Sequence, residues 1–106
     1  MIAMKLVTKE LLETLPKFES TDGMDIRPVK IKFFHPLSNW KWYAVEGELQ
    51  SNGDILFFGL VEGFEKEWGY FSLSELQSVQ GDAVVERDLY FNNYSITTDG
   101  TLIKSN

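Results

Sequence analysis

Trp40-Lys41-Trp42-Tyr43-Ala44-Val45-Glu46-Gly47-Glu48-Leu49, a polar stretch Gln50-Ser51-Asn52-Gly53-Asp54, then Ile55-Leu56-Phe57-Phe58-Gly59-Leu60-Val61-Glu62: this segment decides the fold. Two apolar runs rich in aromatic and β-branched residues flank a turn signal, which is the pattern of a β-hairpin. The Asn52-Gly53 pair suits the positive φ angles of a type I′ turn. Such a turn pairs Ser51 with Asp54. Counting back then sets Leu49 opposite Leu56, Val45 opposite Leu60 and Tyr43 opposite Glu62. That face also carries Phe58 and is mostly apolar, so it is the expected core side. The reverse face carries Trp40, Trp42, Ala44, Glu46 and Glu48 on one strand and Ile55, Phe57, Gly59 and Val61 on the other. A slip of one residue would exchange the two faces.

Working outward, Val7 to Pro16 predicts a first short helix. Thr8 is placed to cap it, Val7 and Leu12 stand at staple spacing, and Pro16 forces the preceding residue out of the helical region. Glu19 to Met24 reads as a polar turn. Val29 to Phe33 alternates with period two, as a strand with one buried face does. Beyond the hairpin, Trp68 to Phe71 predicts a third short strand. Ser72 and Glu75 then fit a capping box, with Leu73, Leu76 and Val79 as the buried stripe and Gly81 as the stop. Val84 to Phe91 predicts a further strand, and Asp99-Gly100 a small terminal hairpin. The order is α-β-β-β-β-α-β with short connections, which favour antiparallel pairing. The expected fold class is α+β: an antiparallel meander of about five strands with two short helices on one side. Residues 1–106 are expected to form one domain, with 92–106 as a loosely attached tail or small hairpin.

Composition narrows the function. At 106 residues the chain has the size of one domain. Aromatics make up 14% of it, which favours packed strands over disorder. There is no cysteine, so thiolate metal sites, disulfides and thiol nucleophiles are excluded. No leader-like or membrane-length apolar run is seen, and the expected location is the cytoplasm. Formal net charge is −6, which disfavours binding to a phosphate backbone. Arg27, Lys30, Lys32 and Lys41 read as the solvated face of a strand.

The reverse face of the hairpin is where binding chemistry is expected. In the predicted register Glu46 lies opposite Gly59, framed by Trp42 and Phe57, where it could hold a cation or a ligand amine. Arg87 is its candidate ion-pair partner, since a guanidinium turned inward usually meets a carboxylate. Glu86 and Asp88 share a strand face about 7 Å apart at the backbone, a spacing that solvated strands show commonly. His35 is the single histidine and has no partner spacing for imidazole catalysis. No phosphate loop or nucleophile motif is present. The candidate binding residues are Trp40, Trp42, Glu46, Phe57, Arg87 and Asp88. No catalytic residue, metal or cofactor is expected.

The segments Lys5 to Glu10, Val29 to Phe34, Trp40 to Tyr43, Leu56 to Val61, Gly69 to Leu76 and Glu86 to Phe91, taken together in this order, resemble the bacterial family labelled domain of unknown function 2958. The resemblance spans roughly residues 4–92. Its matching motifs include Trp40, Trp42, Glu86, Arg87 and Asp88, which carry no assigned roles in the family. It implies a small single-domain protein encoded on a plasmid, conjugative element or phage. That context implies an accessory protein, acting on host defence or DNA handling.

Three readings of function stand beside one another. The leading one is a non-enzymatic module gripping a protein partner through aromatics, the residues that dominate interface hot spots. The alternatives are a single-stranded nucleic-acid binder using the same rings, and a small metal-dependent hydrolase or nuclease using Glu46, Glu86 or Asp88.

Overall fold

The computed structural model describes residues 6–78 and 84–105. In chain order the elements are α1 (Lys9–Thr14), β1 (Ile26–Pro28), β2 (Ile31–Phe34), β3 (Lys41–Leu49), β4 (Ile55–Glu62), β5 (Lys66–Ser72), α2 (Leu73–Ser78), β6 (Glu86–Arg87), β7 (Tyr94–Thr97) and β8 (Leu102–Lys104). A five-stranded antiparallel sheet runs β5-β4-β3-β2-β6, and a second sheet of three strands runs β1-β7-β8. The fold is α+β, with two short helices and a central antiparallel meander. Val79 and Gly81, expected to close the second helix, lie outside the described residues.

The hairpin forms, but its turn differs from the predicted one. Gly53 N–H donates to Gln50 O at 3.0 Å, and Gln50 N–H donates to Asp54 O at 2.8 Å. Gly53 sits at φ +88°, while Asn52 stays out of the positive-φ region that a type I′ turn requires of it. Ser51-Asn52-Gly53 is therefore a three-residue loop with glycine in the left-handed position. The longer loop moves the register, so Leu49 faces Ile55 and Glu48 faces Leu56. The ladder then slips again between Ala44 and Glu46, with Val45 as the extra residue of a β-bulge. Ala44, not Glu46, ends up opposite Gly59, and Tyr43 faces Leu60.

Both faces of the large sheet are covered, so the expected single core side becomes two cores. Burial along β3 is unbroken from Trp42 to Gly47, as it is for a strand enclosed on both sides. On one face Ile31, Phe33, Ala44, Phe57 and Phe71 pack with Leu15 and with Leu76 of α2. On the other, Tyr43, Val45 and Leu60 pack with Val29 and with Ile96 of the small sheet.

The helix ends follow the sequence closely. Thr8 Oγ1 accepts from Leu11 N–H at 3.2 Å, and Leu15, held extended before Pro16, ends α1. Ser72 Oγ accepts from Glu75 N–H at 3.1 Å at the start of α2. A second acceptor comes from the hairpin turn: Asp54 takes the Ser74 hydroxyl at 2.6 Å and the Ser74 amide at 3.1 Å. The strand expected over Val84 to Phe91 shortens to Glu86–Arg87. Asp88 ends it, because its carboxylate accepts from Tyr90 N–H at 3.0 Å and turns the chain. Phe91 then stacks on Tyr94 with ring centroids 4.3 Å apart.

Gly59 is required by the bulge, because a Cβ there would stand 1.8 Å from the Tyr43 carbonyl oxygen. Its cross-strand partner Gly69 has nothing within 4 Å of the same position. Gly59→Ala should cost roughly 2–4 kcal/mol in urea denaturation, and Gly69→Ala less than about 0.5 kcal/mol. Equal losses would show that the close approach carries no weight. The Asp54 carboxyl is held below its ordinary value chiefly by the Ser74 hydroxyl, with the Ile55 and Ser74 amides adding to the effect. A lowered folded value gives stability that is present above the unfolded pKa and lost as pH falls through the folded one. Asp54→Asn should therefore flatten the fall of Tm below about pH 4. An acid limb identical to that of the wild type would exclude this contribution.

Candidate functional site: an aromatic edge around Trp40

Glu46 is not the open binding carboxylate that the predicted register suggested. The bulge turns it onto the face of Phe58, away from Trp42 and Phe57, and it is 2% exposed. One carboxylate oxygen accepts from Glu19 N–H at 3.0 Å; the other accepts from Thr21 N–H at 3.0 Å and from the Thr21 hydroxyl. Two residues on, Glu48 accepts from Phe18 N–H at 2.8 Å. The pair anchors the segment 17–24, where Glu19 takes φ +70°. A buried carboxylate met by three donors is an internal fastening.

The other expected partners are also drawn elsewhere. Arg87 pairs with Phe33 in the ladder, so it lies on the opposite sheet face from Glu46, and the expected ion pair does not form. Arg87 Nη1 donates to Leu6 O at 3.1 Å. Asp88 meets Lys32 Nζ at 3.4 Å, and Lys32 lies over the rings of Phe91 and Tyr43 at 5.4 and 5.9 Å. Burial, followed by the charges of Glu62 and Asp88, pushes the Tyr43 phenol upward; its hydroxyl donates to Glu62 at 3.4 Å. Phe57 is fully enclosed in the helix-side core. Among the described residues, no group of three histidine and carboxylate side chains could hold a metal ion. Arg27, expected on a solvated face, instead lies 5.0 Å over the Trp68 ring.

Of the six candidates, the structure brings Trp40 and Trp42 together at one end of the large sheet, Trp40 half-buried and Trp42 buried in the core. The β2–β3 loop and the β4–β5 turn leave the same end of the large sheet, where Lys41 pairs with Glu62 and Glu62 with Lys66. The β6 strand enters beside them at Phe34. Trp40 stands at that end, 5.9 Å from Trp42 and 5.5 Å edge-on from Phe64. Gly63 makes room for it, since a Cβ there would fall 2.4 Å from the Trp40 ring. Phe64 is 96% exposed, and Leu37 and Val84 are exposed at the same end.

Among the described residues, Trp40 lines three cavities, two of which it shares with Trp42 or with Phe64. One, of about 370 Å³, is walled by His35, Ser38, Trp40 and Trp42. His35 Nδ1 is buried without a hydrogen-bond partner, while its backbone N–H donates to Trp40 O at 3.1 Å. The other, of about 320 Å³, is walled by Trp40, Val61, Phe64, Glu65 and Glu67. Sequence reasoning weighed His35 and set it aside, and it missed Phe64, Glu65 and Glu67. The signal for Phe64 was its place in the short connection between β4 and β5, where a large apolar side chain has no strand face to occupy.

Fold and surface together define a small α+β domain with two cores and an aromatic edge. The family model described as "Protein of unknown function (DUF2958)" matches residues 3–99, and the chain belongs to that family. The match runs past Phe91, where the sequence resemblance ended, to include the first strand of the terminal hairpin. No curated protein and no solved structure matches the chain.

Replacing the Glu46 carboxylate should unfasten the 17–24 segment. Glu46→Gln presents an amide donor to donors, and the expected loss is roughly 2–4 kcal/mol. Hydrogen exchange at the Glu19 and Thr21 amides should accelerate ahead of the β4 amides. Unchanged exchange at those two positions would contradict the assigned role.

Proposed function

We propose that this protein is a non-enzymatic accessory module of a bacterial mobile element, acting in the cytoplasm through contact with a protein partner. The observation that carries the reading is Phe64, 96% exposed and set edge-on against Trp40 at the tip of a rigid hairpin end. A bare aromatic ring beside a better packed indole offers a partner a large apolar area, and covering it excludes much water. Leu37 and Val84 add exposed apolar side chains at the same end of the sheet. Two of the three carboxylates considered for acid–base chemistry have other duties: Glu46 holds backbone amides and Asp88 holds Lys32. The bacterial and mobile-element setting rests on the sequence resemblance.

Affinity recovery from a native host lysate tests the reading, comparing wild type with Phe64→Ser. The variant should keep the wild-type Tm within about 2 °C, since Phe64 buries almost nothing. It should lose the specific partner. Identical partner lists would sink the proposal.

A further inference from the structure

The geometry points to the cavity between Trp40 and Phe64 as a pocket for an arginine side chain presented by a basic segment of the partner. This deepens the protein-contact reading and rests on it. The two rings stand 82° apart, so they form a corner with the Trp40 ring as one wall. Val61 forms the floor. Trp42, Val61 and Glu67 are successive cross-strand partners, which places Glu67 on the same face as that floor. Glu65 comes from the turn itself and lines the same cavity. Among the described residues the ion pairs are Arg27–Asp22 and Lys32–Asp88, so Glu65 and Glu67 keep their charges available at the surface. The neighbouring Lys66 does not neutralise them, because it reaches to the Gly100 carbonyl.

An aromatic wall beside two carboxylates is complementary to a cation and hostile to an anion. A cation near an indole face gains from the ring quadrupole, and the gain grows where water is displaced. Guanidinium fits better than ammonium, because its plane stacks on a ring while its edge still offers donors to carboxylates. A cavity of about 320 Å³ accepts that group with part of its stem. The apolar cavity beyond Trp40 then lies ready for the next side chain of an extended segment. The net charge of −6 draws such a segment in.

The test titrates the protein with blocked tetra-arginine amide and with the tetra-citrulline analogue, which keeps the shape and removes the charge. Tryptophan fluorescence and the indole N–H signal of Trp40 report binding. The arginine peptide should shift the Trp40 signal and the citrulline peptide should not. Phe64→Ser and the double change Glu65→Gln, Glu67→Gln should each weaken binding about tenfold. The control Glu10→Gln, Glu13→Gln alters net charge equally on exposed α1 and should weaken it less than about twofold. Equal weakening by both double variants, or equal binding of citrulline, overturns the pocket. So does a Trp40 response to a single-stranded oligonucleotide in place of the peptide. A Phe64-dependent partner with no arginine response overturns the cation pocket alone; partner lists that ignore Phe64 overturn both readings.

Discussion

The structure turns on one buried carboxylate. A charge of this kind is costly to desolvate, and it persists only where donors meet it. Glu46 meets them because the β3 bulge swings it onto the second face, where the 17–24 segment passes with its amides directed at it. From there the connections continue into the small sheet. Thr21 O accepts from Arg27 Nε at 3.1 Å, and the Arg27 guanidinium lies on Trp68. Trp68 Nε1 in turn donates to Thr98 O at 2.9 Å. Bulge, carboxylate, segment, guanidinium and indole thus form one chain of contacts joining the two sheets. The Glu46 bulge and the Gly59 close approach are two sides of one distortion, since the strand can rise toward its neighbour only where that neighbour has no Cβ.

Much of the architecture was legible in local chemistry. Thr8, Pro16, Ser72 and the Asn52-Gly53 turn marked element ends because capping and turn preferences act over a few residues. Register was less legible. Nothing in the composition of Lys41 to Glu62 distinguishes a two-residue from a three-residue loop, and a bulge is decided by packing on both faces. One residue of slip at Gly53 and another at Val45 moved Glu46 from the aromatic face to the opposite one, and the expected Glu46–Arg87 site dissolved with it. The small sheet was legible only in its terminal hairpin. Ile26–Pro28 is three residues long and mostly exposed, so it lacks the periodicity that announces a strand. Of the candidate site, Trp40 and Trp42 were found from their aromatic character. Phe64 and Glu65 escaped because loop residues carry no pattern beyond their identity, and Glu67 because an exposed strand-end carboxylate reads as ordinary solvated surface.

The aromatic edge gains its form from the frame behind it. Trp40 is fixed by the Trp42 ring and by the space above Gly63, so the surface it presents is set before any partner arrives. Strands on either side hold the connecting loops, which is a more exact support than a free loop provides. The two cavities that Trp40 shares with Trp42 and with Phe64 differ in kind: one has apolar walls and a lone imidazole nitrogen, the other ends in carboxylates. A surface divided in this way sets an apolar recess and an acidic one side by side.

Asp54 links the turn of the hairpin to a helix twenty residues away. At six residues α2 is far too short to persist on its own, because nucleation of a single turn is unfavourable. Its second acceptor is in place only where β3 and β4 are closed and β5 lays Ser72 beside Leu56. Full capping of α2 therefore depends on the hairpin and on the third strand of the meander. A hairpin closed in another register would draw Asp54 away from Ser74 and leave the start of α2 with the Ser72 cap alone.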